Sequence, residues 1–103
     1  MKGYYAGSKP KLYCEVRDAN GALADPTSVT CAIYDDTGKL VSATATCATT
    51  KEGTGIYYYN GWTIVAGTHK EGNYKCIFTV TDTPSSNITR DRECAVDFEV
   101  LHI

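Results

Sequence analysis

The sequence predicts an all-β fold, a single antiparallel β-sandwich of about seven strands. Turn signals such as Asn-Gly, Asp-Pro and Thr-Gly recur at short and fairly even intervals along the chain. Between the turns lie short segments rich in β-branched and aromatic residues, and many of them alternate polar and apolar side chains. No segment shows a sustained helical period, and strong helix formers never accumulate.

The first two predicted strands cover residues 11–17 and 29–34, and each is followed by a turn signal. Their apolar residues alternate with polar or aromatic residues, which is typical of a strand with one buried face. A shorter pair of strands is predicted around residues 40–41 and 46–49. The predicted core positions of the first two strands are Leu12, Cys14, Val16, Val29, Cys31 and Ile33.

The next strand is predicted in the aromatic stretch TGIYYYNGW, residues 54–62. It runs from Ile56 to Asn60 and can extend through Trp62, whose indole is expected in the core or at its rim. We expect Ile56 to point inward, and this choice sets the direction of its neighbours. It assigns Ile56 and Tyr58 to the core, and Tyr57 and Tyr59 to the outer face.

The last two strands, residues 73–81 and 93–101, alternate most cleanly and flank a long polar loop. Their predicted core positions are Tyr74, Cys76, Phe78, Val80, Cys94, Val96, Phe98 and Val100. A chain of 103 residues has the size of one domain. We assign residues 11–103 to that domain and residues 1–10 to an irregular N-terminal arm.

The charge and hydropathy of the chain argue against two classes of partner. The formal net charge is −2 and the Lys and Arg residues form no cluster, so we expect no nucleic-acid partner. No apolar run is long enough for a transmembrane helix, so we expect no membrane partner either. The first eleven residues contain no apolar stretch of the length of a secretory signal, and we therefore expect synthesis in a cytoplasm.

Tyrosine is the preferred aromatic residue, with eight Tyr against two Phe. A phenol offers a large contact area and a hydroxyl that tolerates water, so tyrosines suit surfaces that a partner covers. Outward tyrosines are also good β formers that cover neighbouring strands, and both interpretations stay open. The candidate interface residues are Tyr4, Tyr5, Tyr13, Tyr34, Tyr57 and Tyr59.

The five cysteines are predicted to be mainly buried thiols. Four of them occupy predicted core positions, where Val or Ala would serve: Cys14, Cys31, Cys76 and Cys94. One or two disulfides between the sheets are an alternative. No CxxC or other close pair occurs, so a metal site or a catalytic thiol has little support, and we expect no metal and no cofactor.

No catalytic constellation is recognisable, and we expect no enzymatic activity. His69 lies in a loop and His102 near the end of the sequence, and both are expected to be solvated rather than paired with a cysteine. The loop carboxylates are expected to stabilise turns, with calcium binding as the alternative. The carboxylates are those of Asp18, Asp25, Asp35 and Asp36, and the amide of Asn20 lies in the same loop as the first two.

Several motifs resemble small immunoglobulin-like sandwich proteins of tailed bacteriophages. The stretches are KLYCEVRDANGALADPTSVTCAIYDDTGKLV, GTGIYYYNGW and EGNYKCIFTVTD, which cover most of residues 10–81. The family pattern is a strand, then D-x-x-G-x-x-x-D-P-x-S-V-T, a hairpin with D-x-x-G, then T-G-x-Y-Y, then G-x-Y and a closing strand. The matching residues are Asp18, Gly21, Asp25, Pro26, Ser28, Val29, Thr30, Thr54, Gly55, Tyr57, Tyr58, Gly72 and Tyr74. The cysteines and the polar loop of residues 81–92 depart from that pattern.

The resemblance implies an immunoglobulin-like fold and a non-enzymatic structural protein of the virion, made in the host cytoplasm. Such a protein is a capsid decoration, neck or tail component that contacts phage capsid, neck or tail proteins and copies of itself. The N-terminal arm can add to the sheet edge of a partner. The alternative is a cell-surface adhesion or carbohydrate-binding module of the same fold, in which exposed tyrosines and Trp62 stack on sugars.

Overall fold

The computed structural model describes residues 2–18, 20–81 and 92–101, without the side chains of residues 2 and 92–94. Over this part of the chain the protein is all-β, as predicted, with eight strands. The same residues form no helix long and apolar enough to cross a membrane. The strands are β1 (Lys2–Tyr5), β2 (Leu12–Glu15), β3 (Ser28–Tyr34), β4 (Cys47–Ala48), β5 (Thr50–Gly53), β6 (Ile56–Tyr59), β7 (Gly72–Thr81) and β8 (Arg92–Leu101).

The strands form two sheets around one hydrophobic core. Five strands pair in the order β1-β8-β7-β3-β4, and three pair in the order β2-β6-β5. The core contains side chains from both sheets, which is consistent with the predicted β-sandwich. Sequence analysis misses β1 and β5, and the strand predicted at residues 40–41 is only a single bridge between Leu40 and Tyr34.

In β2, β3, β7 and β8 alternate residues point into the core, and these are the residues that the sequence predicts to be buried. In the larger sheet β7 pairs antiparallel with both β3 and β8, and Cys31 lies opposite Phe78. Val96 is half-buried against the core, and the side chain of Cys94 lies outside the described residues. The predicted core residues found buried are Leu12, Cys14, Val16, Val29, Cys31, Ile33, Tyr74, Cys76, Phe78, Val80, Phe98 and Val100.

The predicted direction of the β6 side chains is wrong by one residue. Strand β6 pairs with β2 so that Tyr59 lies opposite the core residue Leu12. Because opposite residues of antiparallel strands point to the same face, Tyr57 and Tyr59 turn toward the core. Ile56 and Tyr58, predicted to be core residues, are half-buried on the other face. Four consecutive large residues show no polar–apolar alternation, so the sequence contains no signal for the direction of this strand.

The N-terminal residues predicted to be irregular form an edge strand. Strand β1 pairs parallel with β8, and Lys2 lies opposite Phe98 and Tyr5 opposite Leu101. Tyr4 packs edge-on against Phe98, with the ring centroids 5.9 Å apart. The first and last described strands are therefore neighbours in the larger sheet.

The core also contains residues outside the predicted alternation. Strand β6 ends before Trp62, which is only 6% exposed and lies 5.9 Å from the ring of Phe98. Ile64 is buried in the segment that follows, where its backbone bonds the N-terminal segment at residues 7 and 8. Cys47 of β4 is buried, and so is Ala32, although Ala32 lies on the outer face of β3. These residues are buried by residues that are distant in the sequence, and no local sequence pattern predicts such contacts.

Candidate interaction surface

The carboxylates of the two D-x-x-G turns are engaged by their own turns. Oδ1 of Asp18 accepts the backbone N–H of Asn20 at 2.9 Å and that of Ala22 at 3.1 Å. Oδ1 of Asp35 accepts the equivalent N–H groups, two and four residues further along, at 2.9 and 3.0 Å. Turn stabilisation, as predicted, is the use of both carboxylates. Within residues 2–18, 20–81 and 92–101, no group of three or more His, Cys, Asp or Glu side chains could hold a metal ion.

Asp25 connects two motifs that are far apart in the sequence. Its carboxylate accepts the backbone N–H of Gly55 at 2.8 Å, the hydroxyl of Tyr57 at 3.2 Å and the ammonium of Lys51 at 2.6 Å. Lys51, followed by the Gly55 N–H, holds the pKa of the Asp25 carboxyl below its usual value. The Asp-Pro and Thr-Gly-x-Tyr motifs therefore form one structural junction, and neither offers an unused catalytic group.

Four cysteines are buried, as sequence analysis predicts for three of them: Cys14, Cys31, Cys47 and Cys76. Cys31 and Cys47 lie opposite each other on β3 and β4. The Cys47 thiol donates to the carbonyl of Thr44 at 3.4 Å. Burial, followed by a hydrogen bond with Cys47, raises the pKa of Tyr59 to about 12. Burial disfavours the Cys47 thiolate, but hydrogen bonds with Tyr59, Thr44 and Ser42 outweigh it and lower the pKa of this thiol. Cys31, which is 1% exposed, serves packing.

His69 is not the solvated loop residue that the sequence predicts. Its Nδ1 accepts the backbone N–H of Val65 at 2.9 Å, and its ring lies 4.7 Å from that of Trp62. Burial lowers the pKa of His69, so the neutral imidazole is the form that accepts this bond. The contact closes the loop that places Trp62 and Ile64 in the core. His102 lies outside the described residues.

An aromatic and charged cluster occupies the outer face of the three-stranded sheet. Tyr13 is 42% exposed, and its ring centroid lies 5.9 Å from that of Tyr58 on the neighbouring strand. The Lys11 ammonium lies 4.3 Å from the centroid of the Tyr58 ring. Glu52 accepts the Tyr13 hydroxyl at 3.2 Å and forms an ion pair with Lys11 at 3.3 Å. We call these four residues the Tyr13 surface.

The Tyr13 surface holds its rings in place with solvent-exposed polar groups. Bonds to Tyr13 and then Glu52 raise the pKa of Lys11, so its ammonium stays charged over the tyrosine rings. The cluster requires Tyr58 to face outward, which the sequence-based assignment of β6 does not foresee. Sequence analysis therefore identifies Tyr13 as an interface candidate and misses Lys11, Glu52 and Tyr58. Only the pairing of β2 with β6 brings the two rings together.

The other predicted interface tyrosines are dispersed over the molecule. Tyr5 is 54% exposed at the end of edge strand β1. Tyr4, Tyr57 and Tyr59 pack against the core and are half-buried, so little of their surface remains for a partner. Tyr34 is half-buried and lines a groove on the outer face of the five-stranded sheet.

That groove is shallow and open to solvent, with a volume of about 580 Å³. Tyr34, Lys75 and Asp97 are neighbours across β3, β7 and β8, and all three line it. Ile77 contributes an apolar side chain, and Asp36 comes from the turn after β3. We call these five residues the acidic groove.

The polar side chains that sequence analysis singles out have partners within the described part of the chain. The thiols are enclosed, His69 is engaged with the backbone, and the carboxylates of Asp18, Asp25 and Asp35 serve turns and the motif junction. Comparison of the chain with protein-family models, with curated proteins and with solved structures finds no match in any of the three. The two outer sheet faces are therefore the features from which a function can be argued.

Proposed function

We propose that the chain is a non-enzymatic immunoglobulin-like domain that acts through protein–protein contacts made by the Tyr13 surface. The specific form of this proposal is a structural component of a tailed-phage virion, in a capsid decoration, neck or tail. That specific form rests on the sequence motifs alone. The binding role rests on the Tyr13 surface, where the exposed ring of Tyr13 and the half-buried ring of Tyr58 lie beside charged groups.

The strand order supports the immunoglobulin-like part of the proposal. In that fold one sheet contains the strand order C-F-G and the other contains B-E-D, with extra edge strands beside C in some variants. Here β3-β7-β8 and β2-β6-β5 correspond to these two sets, with β4 beside β3. The remaining strand, β1, lies parallel to the last strand.

The chemistry of the Tyr13 surface favours a protein partner. Tyrosine buries a large area on binding and loses little side-chain entropy, and tyrosines are enriched in interfaces. Here the entropy cost is further reduced because each of the two rings contacts Lys11, and Glu52 holds the Tyr13 hydroxyl. The exposed ion pair contributes little stability by itself, whereas the ring pair of Tyr13 and Tyr58 also stabilises the pairing of β2 with β6.

The test combines a double variant with a matched control. We expect Tyr13→Ser together with Tyr58→Ser to weaken binding to phage particles, or to copies of the chain, at least about tenfold. Val65→Ser is the control, because Val65 is 47% exposed and lies outside the Tyr13 surface. Sedimentation of the chain alone and with particles measures both kinds of contact. A monomer that never sediments with particles, or equal binding by the two variants, would contradict the proposal.

A carbohydrate-binding module is the second candidate, since two accessible phenol rings beside a carboxylate and an ammonium also suit a sugar. The predicted contribution of Trp62 is wrong, because that side chain is buried. Titration of the isolated domain with a glycan array separates the candidates. Glycan binding that is lost in the Tyr13 and Tyr58 double variant would favour this second function.

A further inference from the structure

We propose that Cys47 and Cys31 are a redox-active thiol pair. In this proposal Cys47 reacts with a small disulfide oxidant, and Cys31 then converts the product into a disulfide that joins β4 to β3. Both side chains belong to the core, Cys31 being 1% and Cys47 8% exposed. The Tyr13 surface lies on the outer face of the other sheet, so this inference goes beyond the proposed function and does not depend on it.

The strand register places the two cysteines directly opposite each other. Cys31 and Cys47 are partners in the antiparallel pair of β3 with β4. Such partners have Cα atoms about 4.5–5.5 Å apart and side chains on the same face of the sheet. A disulfide joins residues whose Cα atoms are about 4.4–6.8 Å apart. The backbone of β3 and β4 therefore already has the separation that this bond requires.

No other two cysteines are partners in the strands that the structure describes. Cys14 and Cys94 each lie opposite an aromatic residue, and Cys76 lies opposite aliphatic residues on both neighbouring strands. Cys76 is the diagonal neighbour of Cys31, and Cα atoms in such positions are about 7–8 Å apart, which is too far for a disulfide without backbone movement. The register therefore selects Cys31 and Cys47 as a specific pair.

Hydroxyl groups around Cys47 favour its thiolate, which is the form that attacks a disulfide. Oγ1 of Thr44 lies 3.7 Å from Sγ of Cys47, and the side chains of Tyr59 and Ser42 also form hydrogen bonds with this thiol. Burial opposes ionisation of Cys47, but these hydrogen bonds outweigh it and lower the pKa of the thiol. We therefore assign Cys47 as the attacking thiol and Cys31 as the thiol that resolves the mixed disulfide.

The oxidant reaches Cys47 through local opening of β4. This strand has two residues and lies at the edge of the five-stranded sheet. Short edge segments open at a lower free energy than the central strands of a sheet. Cys31 lies in β3, which has β4 on one side and β7 on the other, so it is exposed less often than Cys47.

The reaction with oxidised glutathione consists of two thiol–disulfide exchanges. The Cys47 thiolate attacks one glutathione sulfur, the bond between the two glutathione sulfurs breaks, and one glutathione leaves as its thiolate. Cys31 then loses its proton to solvent and attacks Sγ of Cys47, which expels the second glutathione. The protein loses two electrons and two protons, and one molecule of oxidised glutathione becomes two molecules of reduced glutathione.

Disulfide mapping in the unaltered protein tests the pairing. The folded protein is incubated with oxidised glutathione without denaturant, its remaining thiols are alkylated in urea, and it is digested with trypsin. Tryptic peptides 18–39 and 40–51 contain one cysteine each, Cys31 and Cys47. We expect mass spectrometry to find these two peptides linked, and dithiothreitol to separate them. Two thiols that stay reduced, or linkage of a different pair, would overturn the proposal.

Cysteine substitutions test the order of the two steps. We expect Cys31→Ala to stop at the mixed disulfide, with one glutathione on Cys47, and Cys47→Ala to leave Cys31 unmodified. Cys14→Ala is the matched control, because it removes another buried thiol and should form the same disulfide as the unaltered protein. Circular dichroism before oxidation confirms that each variant is folded. Glutathione on Cys31 in Cys47→Ala, at the rate seen for Cys47, would contradict the assigned order.

Tyr59→Phe tests the activation of Cys47. Phenylalanine keeps the ring and removes the hydroxyl that bonds the thiol. We expect the reaction with oxidised glutathione at neutral pH to slow by roughly threefold and its rate–pH profile to shift toward higher pH. Tyr5→Phe is the control, because it removes a hydroxyl from an exposed residue of β1, at the other edge of the sheet. Identical profiles for the two variants would overturn the assignment of Cys47 as the activated thiol.

Discussion

At the scale of single residues, Gly55 connects its own turn with residues of an earlier turn through two hydrogen bonds. Its carbonyl accepts the N–H of Val16 at 2.7 Å, and its N–H donates to Asp25. Its φ of +70° lies in the left-handed region, and a Cβ there would lie 2.6 Å from the carbonyl oxygen of Val16 and 2.8 Å from the nitrogen of Ala24. Glycine is therefore required by the space as well as by the backbone angle.

Gly55→Ala compared with Gly38→Ala separates these two requirements. Gly38 has a φ of +86°, but a Cβ added there would have no neighbouring atom within 4 Å, so alanine meets only the backbone penalty of about 1–2 kcal/mol. We expect Gly55→Ala to lower the free energy of unfolding by roughly 2 kcal/mol more, because backbone atoms must shift. Urea unfolding read by circular dichroism measures both variants. Equal losses would show that the close contacts at Gly55 relax freely.

His69 predicts a pH dependence of stability. Its folded pKa lies below the usual value, because burial disfavours the charged ring. Its contribution to stability is therefore complete above about pH 6.5 and is lost as the pH falls through the folded pKa. We expect the urea midpoint of the protein to decrease between about pH 7 and about pH 5, and the decrease to be smaller in His69→Ala.

The carboxyls of Asp25 and Asp35 do not obscure this window. Asp25 and Asp35 have lowered pKa values, so their contributions are lost only at more acidic pH. His102 is present in both the protein and the variant and cancels in the comparison. An identical pH response in His69→Ala would contradict the role assigned to the bond between His69 and Val65.

At the scale of elements, β6 and β7 show when a sequence pattern identifies the buried face of a strand. In β7 the alternation of polar and apolar residues identifies the buried face correctly. In β6 all four residues are large and apolar or aromatic, so either face could be buried. The pairing with β2 decides, since Tyr59 lies opposite Leu12. The Tyr13 surface and the acidic groove likewise depend on strand register, which the sequence does not contain locally.

The direction of β6 is tested by two tyrosine substitutions. We expect Tyr59→Ala to lower the free energy of unfolding by roughly 2–4 kcal/mol, because Tyr59 packs against the core and its ring covers Gly61. Tyr58→Ala removes an outward ring and should cost about 1 kcal/mol. Urea unfolding gives both values. A larger loss from Tyr58→Ala would restore the direction that the sequence-based assignment chose.

At the scale of the whole molecule, one core encloses the four described thiols. Cys31 and Cys76 lie in strands with a partner on each side, Cys14 lies in the four-residue edge strand β2, and Cys47 lies in the two-residue edge strand β4. The alternation of β2, β3 and β7 predicts the first three positions. Cys47 carries no such signal, because its strand is too short to show a period.

Thiol labelling tests this enclosure in the variant Cys94→Ser, which leaves only the four described thiols. We expect labelling by a disulfide reagent without denaturant to be slow, and Cys47 to react before the others, because a short edge strand opens locally. Mass spectrometry of peptides identifies the order of modification. Rapid labelling of Cys14, Cys31 or Cys76 in the folded protein would contradict the assigned core.

The parallel contact between β1 and β8 has a consequence during synthesis. A ribosome releases residues 2–5 well before residues 98–101, yet these two stretches are partners in one sheet. Until β8 emerges, the backbone of the nascent β1 segment lacks this partner and can pair with another emerging chain. The larger sheet is thus completed late, by pairing between residues that are far apart in the sequence. We therefore expect the chain to fold more slowly than a protein stabilised by local contacts.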